Sequence, residues 1–302
     1  MIAAAPGKLF TTGAWAILDG APAIVLAVNR YVLADGARAP LGPVRPEVAE
    51  VARRLGGPPP FVDASALESS GRKLGLGSSA AAAVASAAVM IGGDPRETST
   101  RRRIFVEAWR AHRAVQPRGS GGDLAASTYG GVVQVQRNGD ELDVTPTALP
   151  EGVVLRAFAL DRSARTSDAL DRLDARRAEA GPAMASLVAA AEAGAAATAA
   201  SDARSFVKAC AAHVEALARL GAALDLPLVP DEVTRARDLL FGAPVAESVE
   251  RPVLLPSGAG GGDTVLWLSA RAPTDHEAAL LDGLGLHPLD LELDRHGVHQ
   301  LA

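Results

Sequence analysis

A glycine-rich turn that runs directly into an alanine-rich helix is the feature that most limits how this chain can fold. Residues 73–86 read KLGLGSSAAAAVAS. Alanine is the strongest helix former, and serine is a favoured residue at a helix N-terminus. Small side chains let such a helix pack closely, and the unpaired N–H groups at its start bind anions. The stretch therefore predicts either a phosphate-binding helix N-terminus or a serine-capped helix packed tightly through glycine and alanine.

Composition narrows the class of protein. The chain has 302 residues, enough for two domains, and 48% hydrophobic against 22% charged residues suits a soluble globular protein. The formal net charge of -5, with no basic stripe, argues against a nucleic-acid partner. The sequence has no uncharged apolar stretch of membrane-spanning length and no signal-peptide pattern, so we expect a cytoplasmic protein without a membrane partner. Cys210 is the only cysteine, which excludes an intrachain disulfide.

Mixed helix and strand patterns predict an α+β protein with two domains, residues 1–150 and 151–302. Alternating apolar residues predict a strand hairpin within 1–35. Further strands are predicted within 129–146, 152–161, 260–270 and 287–294, the last as the final strand. Helices are predicted at about 46–55, 78–92, 95–115, 123–128, 166–180, 182–197, 202–223, 230–240 and 274–284.

A first glycine motif, APGKLFTTGAW at residues 5–15, places Lys8 at the start of a strand. The chain has 30 basic residues, of which only Lys8, Lys73 and Lys208 are lysine. Lysine is a compact point charge, whereas arginine is a planar fork. Two of these lysines adjoin glycine motifs, which favours a phosphate-binding role, although an ordinary surface lysine at a strand start is the alternative.

Two later glycine motifs each contain an aspartate. GSGGDLAAS, residues 119–127, places Asp123 among small residues, where it either caps a helix or orients an acceptor hydroxyl for phosphoryl transfer. PSGAGGGDTVLWL, residues 256–268, has more glycine than a hairpin needs. It predicts either a flexible connector or a loop whose exposed N–H groups close over phosphates or substrate.

The set PGK, GLGSSA, GSGGD and SGAGGGD, in this order, resembles the GHMP kinase family. The resemblance covers residues 2–35, 71–137 and 250–268, and more weakly 155–170. Within the family it is greatest to the phosphomevalonate kinase branch, with mevalonate kinase next. It implies a ribosomal protein S5 domain 2-like N-terminal domain and a ferredoxin-like C-terminal domain, with the active site in the cleft between them.

The resemblance also implies an activity. ATP, with Mg²⁺, is expected to donate its γ-phosphoryl group to 5-phosphomevalonate, which gives 5-diphosphomevalonate. The alternatives are mevalonate kinase or another sugar or alcohol kinase of the family and, from a different class, an inactive homologue that binds ligand without turnover. The expected partner is a small-molecule phosphate or alcohol acceptor, and the expected assembly is a monomer or homodimer.

Site residues are carried over on the motifs that match. Asp123 is the expected catalytic carboxylate, paired with Lys8. The expected nucleotide-binding residues are Lys73, Gly75, Leu76, Gly77, Ser78, Ser79 and Ala80, with Ser79, or alternatively Ser78, on Mg²⁺. The expected substrate-binding residues are Ala14, Trp15, Ser120, Gly121, Arg165, Ser257, Gly258, Gly260 and Gly261, and Arg118 is a further candidate cation.

Four positions depart from the family pattern. Ala14 and Trp15 replace a glutamate followed by Tyr or His, His112 stands where several members have a metal-binding glutamate, and Leu255 replaces a polar residue. The departures bear on the acceptor more than on the fold. His287, His296 and His299 lie near the end of the chain among carboxylates, where polar surface is expected and a metal site is the alternative.

Overall fold

The computed structural model describes residues 1–69, 72–161, 166–242 and 251–301. Helices and strands are mixed along the chain, so the predicted α+β class is confirmed. The strands are β1 (Ile2–Thr12), β2 (Ala23–Asp35), β3 (Phe61–Asp63), β4 (Glu68–Ser69), β5 (Arg72–Lys73), β6 (Val132–Asn138), β7 (Glu141–Thr147), β8 (Val154–Leu160), β9 (Val253–Pro256), β10 (Thr264–Ser269), β11 (Leu286–Leu289) and β12 (His299–Leu301). The α-helices are α1 (Pro46–Leu55), α2 (Ser78–Ile91), α3 (Thr98–Val115), α4 (Gly122–Tyr129), α5 (Thr166–Ala175), α6 (Arg177–Ala199), α7 (Ala203–Leu224), α8 (Asp231–Phe241) and α9 (Asp275–Gly283).

Two antiparallel sheets organise the molecule. The first has the order β12-β1-β2-β6-β7, with β3 also paired to β2, and the second has the order β11-β8-β10-β9. We call the first sheet with α1–α4 the first lobe, and the second sheet with α5–α9 the second lobe. The predicted hairpin of β1 and β2 is present, joined by a 3-10 turn at Ala16–Asp19.

Helix α2 is buried on all sides in the first lobe. Its Ala80, Ala81, Ala82 and Ala83 are fully inaccessible, and it packs against α1, α3, α4 and the β1–β2 hairpin. A helix that is apolar all round belongs in the core, and alanine gives neighbouring backbones room to approach. The alanine run therefore places the N-terminus of α2 at a fixed point beside β1.

Several elements differ from the sequence prediction, which did not include strands β3, β4, β5 and β9. Helix α6 continues through Pro182, where the sequence predicted a break, because packing along α7 outweighs one lost backbone hydrogen bond. The segment 287–294 was predicted as the final strand, but only β11 is formed there, and the chain has a later strand, β12.

The last residues of the chain return to the first lobe. Strand β12 pairs with β1, so residues that follow the second sheet complete the first. Asp294, which is buried, anchors this segment by accepting hydrogen bonds from the Tyr31 hydroxyl (2.7 Å) and the Gly297 N–H (2.7 Å). The predicted C-terminal segment 151–302 thus contributes a strand to the N-terminal sheet.

Two further findings concern what the described residues lack. None of the helices in the described ranges is long and apolar enough to cross a membrane. Within the same ranges, no three His, Cys, Asp or Glu side chains lie together as a metal site.

Of the C-terminal histidines, His287 is hydrogen-bonded to Asp282 and Asp161, which raises its pKa.

A buried histidine makes the fold sensitive to acid. His213 lies in α7 with 1% of its surface exposed, and burial lowers its pKa from 6.5 to about 4. Between these two values the unfolded chain binds a proton that the folded protein does not, so acidification favours unfolding. We expect this residue to lower the free energy of unfolding by about 2 kcal/mol between about pH 7 and pH 5.

The measurement is urea unfolding of the wild type and of His213→Leu at both pH values. The variant should lose this part of the pH dependence, whatever its stability at neutral pH. His276→Gln, at an exposed histidine, is the control and should keep the wild-type slope. An unchanged slope in His213→Leu would contradict the assignment.

Candidate active site

A cleft of about 700 Å³ lies between the two lobes. Its wall is built from β1, from the turn before α2, from the loop before α4 and from the loop between β9 and β10. These are the four segments that carry the glycine motifs. The predicted site residues that line the cleft are Lys8, Ala14, Trp15, Lys73, Gly75, Leu76, Gly77, Ser78, Ser79, Ser120, Asp123, Ser257, Gly258 and Gly260.

The other predicted residues lie behind this wall or outside the described residues. Ala80 is fully buried in α2. Gly121 packs beneath Trp109, whose ring would be 2.7 Å from a Cβ at this position. Gly261 donates its N–H to the Leu228 carbonyl at 2.8 Å. Arg165 lies outside the described residues.

The first glycine loop, residues 75–79, needs its glycines for both conformation and space. Gly75 and Gly77 have φ values of +68° and +79°, in the left-handed region that glycine favours. A Cβ on Gly77 would lie 3.0 Å from Lys8 Cγ and 3.5 Å from Asp123 Cβ. The absence of a side chain therefore lets the loop, the lysine and the carboxylate come together.

This loop fits a phosphate and its metal ion. Gly77 is the N-cap of α2 and supplies no side-chain cap, so the helix starts with unpaired N–H groups and a positive dipole end. The next two residues, Ser78 and Ser79, line the cleft, and their hydroxyls are suitable Mg²⁺ ligands. The glycine cradle and the uncapped helix end fit the phosphates of a nucleotide.

Lys8 is a buried cation at the centre of the cleft. Only 8% of its surface is exposed, and Nζ donates a hydrogen bond to the Gly75 carbonyl at 2.7 Å. Burial lowers the pKa of the ammonium, while the carboxylates of Asp123 and Asp263 raise it. The expected partnership of Lys8 with Asp123 is therefore electrostatic here, and a direct role in catalysis stays a prediction.

Asp123 lies in the first turn of α4 and is not its N-cap. The N-cap is Gly121, so the alternative of a capping aspartate is wrong. Asp123 Oδ1 accepts a hydrogen bond from the Leu124 N–H at 3.0 Å, which fixes the carboxylate at a helix N-terminus. Gly122 lets this turn sit on the ring of Phe10, which would be 2.7 Å from a Cβ there.

The second glycine loop, residues 257–262, is held from the opposite lobe. Ser257 Oγ accepts a hydrogen bond from the Phe10 N–H at 2.9 Å. Trp15, which is 2% exposed, donates Nε1–H to the Ala259 carbonyl at 3.0 Å. Ser257 and Trp15 were expected to bind substrate. They line the cleft, and their hydrogen bonds also hold this loop to β1 and to the turn that follows it.

The far end of the cleft combines apolar side chains with one arginine. Leu18, Leu170 and Trp15 form an apolar part of the wall. Arg118 lines the same cleft, and its guanidinium donates to Asp171 at 2.6 Å and Asp174 at 3.0 Å, both on α5. This ion pair joins the loop before α4 to the second lobe.

Asp263 is a charged cleft residue that the sequence prediction missed. It follows the second glycine loop, lines the cleft and has φ of +59°. The prediction for this motif rested on its glycines. A carboxylate after three glycines, before an apolar strand, is the signal that could have identified it.

Solved structures identify the fold. The mixed α+β architecture is similar to that of GHMP kinases, as predicted. The structure superimposes on the Lin0012 protein from Listeria innocua with a TM-score of 0.81 at 20% identity, over 99% of both chains. It superimposes on Streptococcus pneumoniae phosphomevalonate kinase in complex with phosphomevalonate and AMPPNP with a TM-score of 0.72 at 18% identity, over 97% of this chain and 99% of that one.

Comparison of the sequence with curated proteins gives a more specific relative. The chain is 35% identical to phosphomevalonate kinase of Streptomyces sp. (strain CL190) over an aligned part that covers 44% of this chain and 48% of the relative. It thus spans about half the length of the curated relative it matches. No protein-family model matches the chain. The predicted resemblance to GHMP kinases, and to phosphomevalonate kinase within them, is confirmed.

The steric cost of a side chain at Gly77 can be measured separately from the cost of its left-handed backbone conformation. Gly56 shares the left-handed conformation of Gly77, but a Cβ there would meet no atom within 4 Å. Gly56→Ala should therefore cost about 1 kcal/mol of unfolding free energy, from backbone strain alone. Gly77→Ala should cost at least about 1 kcal/mol more, because its Cβ displaces the buried Lys8 side chain.

Urea unfolding of both variants against wild type gives the comparison. Equal losses in the two variants would show that Lys8 accommodates the added methyl group freely, and the close-contact argument would then be wrong.

Proposed function

We propose that this protein is an ATP-dependent kinase that phosphorylates a small molecule. The observation that carries the proposal is the junction of Gly77, Lys8 and Asp123 in one cleft, at the uncapped start of α2. A phosphate site, a cation and a carboxylate at one place are the parts that phosphoryl transfer requires.

The reaction breaks the bond between the γ-phosphorus of ATP and the oxygen that bridges it to the β-phosphate, and it forms a bond to the acceptor oxygen. ADP leaves with the electron pair of the broken bond. Such transfer depends on positioning and charge stabilisation. Mg²⁺, when bound near Ser78 and Ser79, supplies charge neutralisation on the phosphates.

Each side chain of the junction has a distinct role in this proposal. Lys8 holds positive charge beside the first glycine loop, where negative charge on the transferred group needs stabilising. Asp123, fixed at the start of α4, orients the acceptor and receives a proton when the acceptor is a hydroxyl. The second glycine loop covers the site from the other lobe and excludes water.

We propose 5-phosphomevalonate as the acceptor and 5-diphosphomevalonate as the product. The sequence relative is a phosphomevalonate kinase, and a solved structure with the same fold is in complex with phosphomevalonate. The apolar wall at Leu18 and Leu170 suits a short branched carbon chain. Arg118 lines the same cleft, but its guanidinium is paired with Asp171 and Asp174, so its charge is already engaged. Mevalonate, or another alcohol of the family's substrates, is the alternative acceptor.

A homologue that binds ligand without turnover is the alternative from a different class. Its support was the replacement of a polar pair by Ala14 and Trp15. Trp15 Nε1 donates a hydrogen bond to the Ala259 carbonyl, which gives a structural explanation for a tryptophan at this position. The replacement is therefore weaker support for an inactive homologue.

An ADP-release assay with mevalonate, phosphomevalonate, galactose and homoserine tests both parts of the proposal. We expect turnover with phosphomevalonate, and a fall in kcat of about 100-fold or more in Asp123→Asn, because the acceptor loses its orienting carboxylate. Asp161→Asn, at an exposed carboxylate outside the cleft wall, is the matched control and should keep wild-type kcat.

Each outcome of this assay has a separate meaning. Turnover with mevalonate alone would overturn the choice of acceptor and leave the kinase proposal standing. Tight ATP binding without ADP release from any acceptor would favour the binding homologue. Full activity in Asp123→Asn would remove the proposed role of that carboxylate.

A further inference from the structure

Asp263 is a carboxylate that the proposed reaction has not yet used. It lines the same cleft as Asp123, and it belongs to the second lobe, whereas Lys8 and Asp123 belong to the first. We propose that Asp263 is a positioning residue that supplies the Lys8 ammonium with a counter-charge from the second lobe. Its catalytic consequence rests on the proposed kinase function, but its effect on Lys8 does not.

Gly75 brings the two side chains to one place. The Gly75 carbonyl accepts the hydrogen bond from Lys8 Nζ at 2.7 Å. A Cβ on the same glycine would lie 2.4 Å from Asp263 Cβ and 2.9 Å from its Oδ2. Lys8 and Asp263 therefore meet at a single residue of the first glycine loop, where only glycine leaves room for the carboxylate.

The backbone at Asp263 is held in an unfavourable conformation. Its φ of +59° lies in the left-handed region, which costs a residue with a side chain about 1 kcal/mol or more. Hydrogen bonds on both sides fix it: the Asp263 carbonyl accepts from Leu160 N–H at 2.8 Å, and Thr264 Oγ1 donates to the Leu74 carbonyl at 2.6 Å. A fourth consecutive glycine would adopt this conformation without the cost, so a carboxylate at this position points to a role for the charge.

The charges around Lys8 leave few sources for its counter-charge. Burial disfavours the ammonium, and the carboxylates of Asp123 and Asp263 oppose that effect. Among the described residues, the other charged or titratable side chains of the cleft wall are Lys73, His112 and Arg118, none of which carries negative charge. Arg118 is moreover engaged by carboxylates of α5.

The consequence is a coupling between the two lobes. Asp123 acts on Lys8 from the first lobe and Asp263 from the second, so the counter-charge of the lysine depends on both lobes. The two carboxylates oppose the effect of burial and so favour the charged form of Lys8, at the place where the cleft would enclose the phosphates.

The chain offers a direct measurement, because it has only three lysines. Protein labelled with ¹³C at lysine Cε gives three NMR signals, and Lys73→Arg and Lys208→Arg each remove one, which assigns Lys8. The pH titration of this signal is measured without nucleotide or acceptor in the wild type, Asp263→Asn and Asp263→Gly, with Asp161→Asn as the matched control.

We expect Lys8 to titrate at lower pH in both Asp263 variants than in the wild type, and Asp161→Asn to follow the wild type. Asparagine tolerates the left-handed conformation and glycine relieves it, so either variant suffices if the other folds poorly. A Lys8 titration that is the same in Asp263→Asn, Asp263→Gly and wild type would overturn the proposal, whether or not the protein is a kinase.

A kinetic measurement then separates this role from a purely structural one. If the kinase proposal holds, the alkaline limb of the kcat/KM profile should move to lower pH in Asp263→Asn, because Lys8 loses its proton earlier. A uniform loss of activity at every pH would assign Asp263 to the structure of the loop and contradict the proposal. A shifted Lys8 titration in a protein without turnover would instead contradict the kinase function alone.

Discussion

The contact between Lys8 and Gly77 is the constraint on which the rest of the cleft depends. Because Gly77 has no side chain, the lysine stem lies against the start of α2 and its ammonium reaches the Gly75 carbonyl. A buried cation is costly unless carboxylates and carbonyls surround it. The carboxylates of Asp123 and Asp263 offset part of that cost, so the charges of the cleft are arranged around the packing of one lysine on one glycine.

The two lobes are held together by the same residues that form the cleft. Trp15 and the Phe10 N–H fix the second glycine loop, and Thr264 ties its far end to Leu74. The returning strand β12 adds a second connection at β1. Binding residues placed on loops that rigid elements hold on both sides are pre-organised, which lowers the entropy lost when ligands bind.

Sequence reasoning predicted most elements, because their patterns are local. The ends of α1 and the alanine run of α2 were predicted within a residue or so. The continuation of α6 through Pro182 and the pairing of β12 with β1 were not, since both depend on distant partners. The motifs identified Lys8, Ser79 and Asp123 as cleft residues but missed Asp263, whose strained backbone is visible only in the fold.

The sequence by itself determined the glycine turn before an alanine helix, the order of four glycine motifs and the residue types of the cleft, because propensity and spacing act along the chain. Only the tertiary structure decided that Trp15 binds a loop of the opposite lobe, that Arg118 pairs with α5 and that Lys8 and Asp263 meet at Gly75. The reason is physical: burial, hydrogen bonding and electrostatic interaction depend on distances in space, and residues 8, 75 and 263 meet only after both sheets have formed.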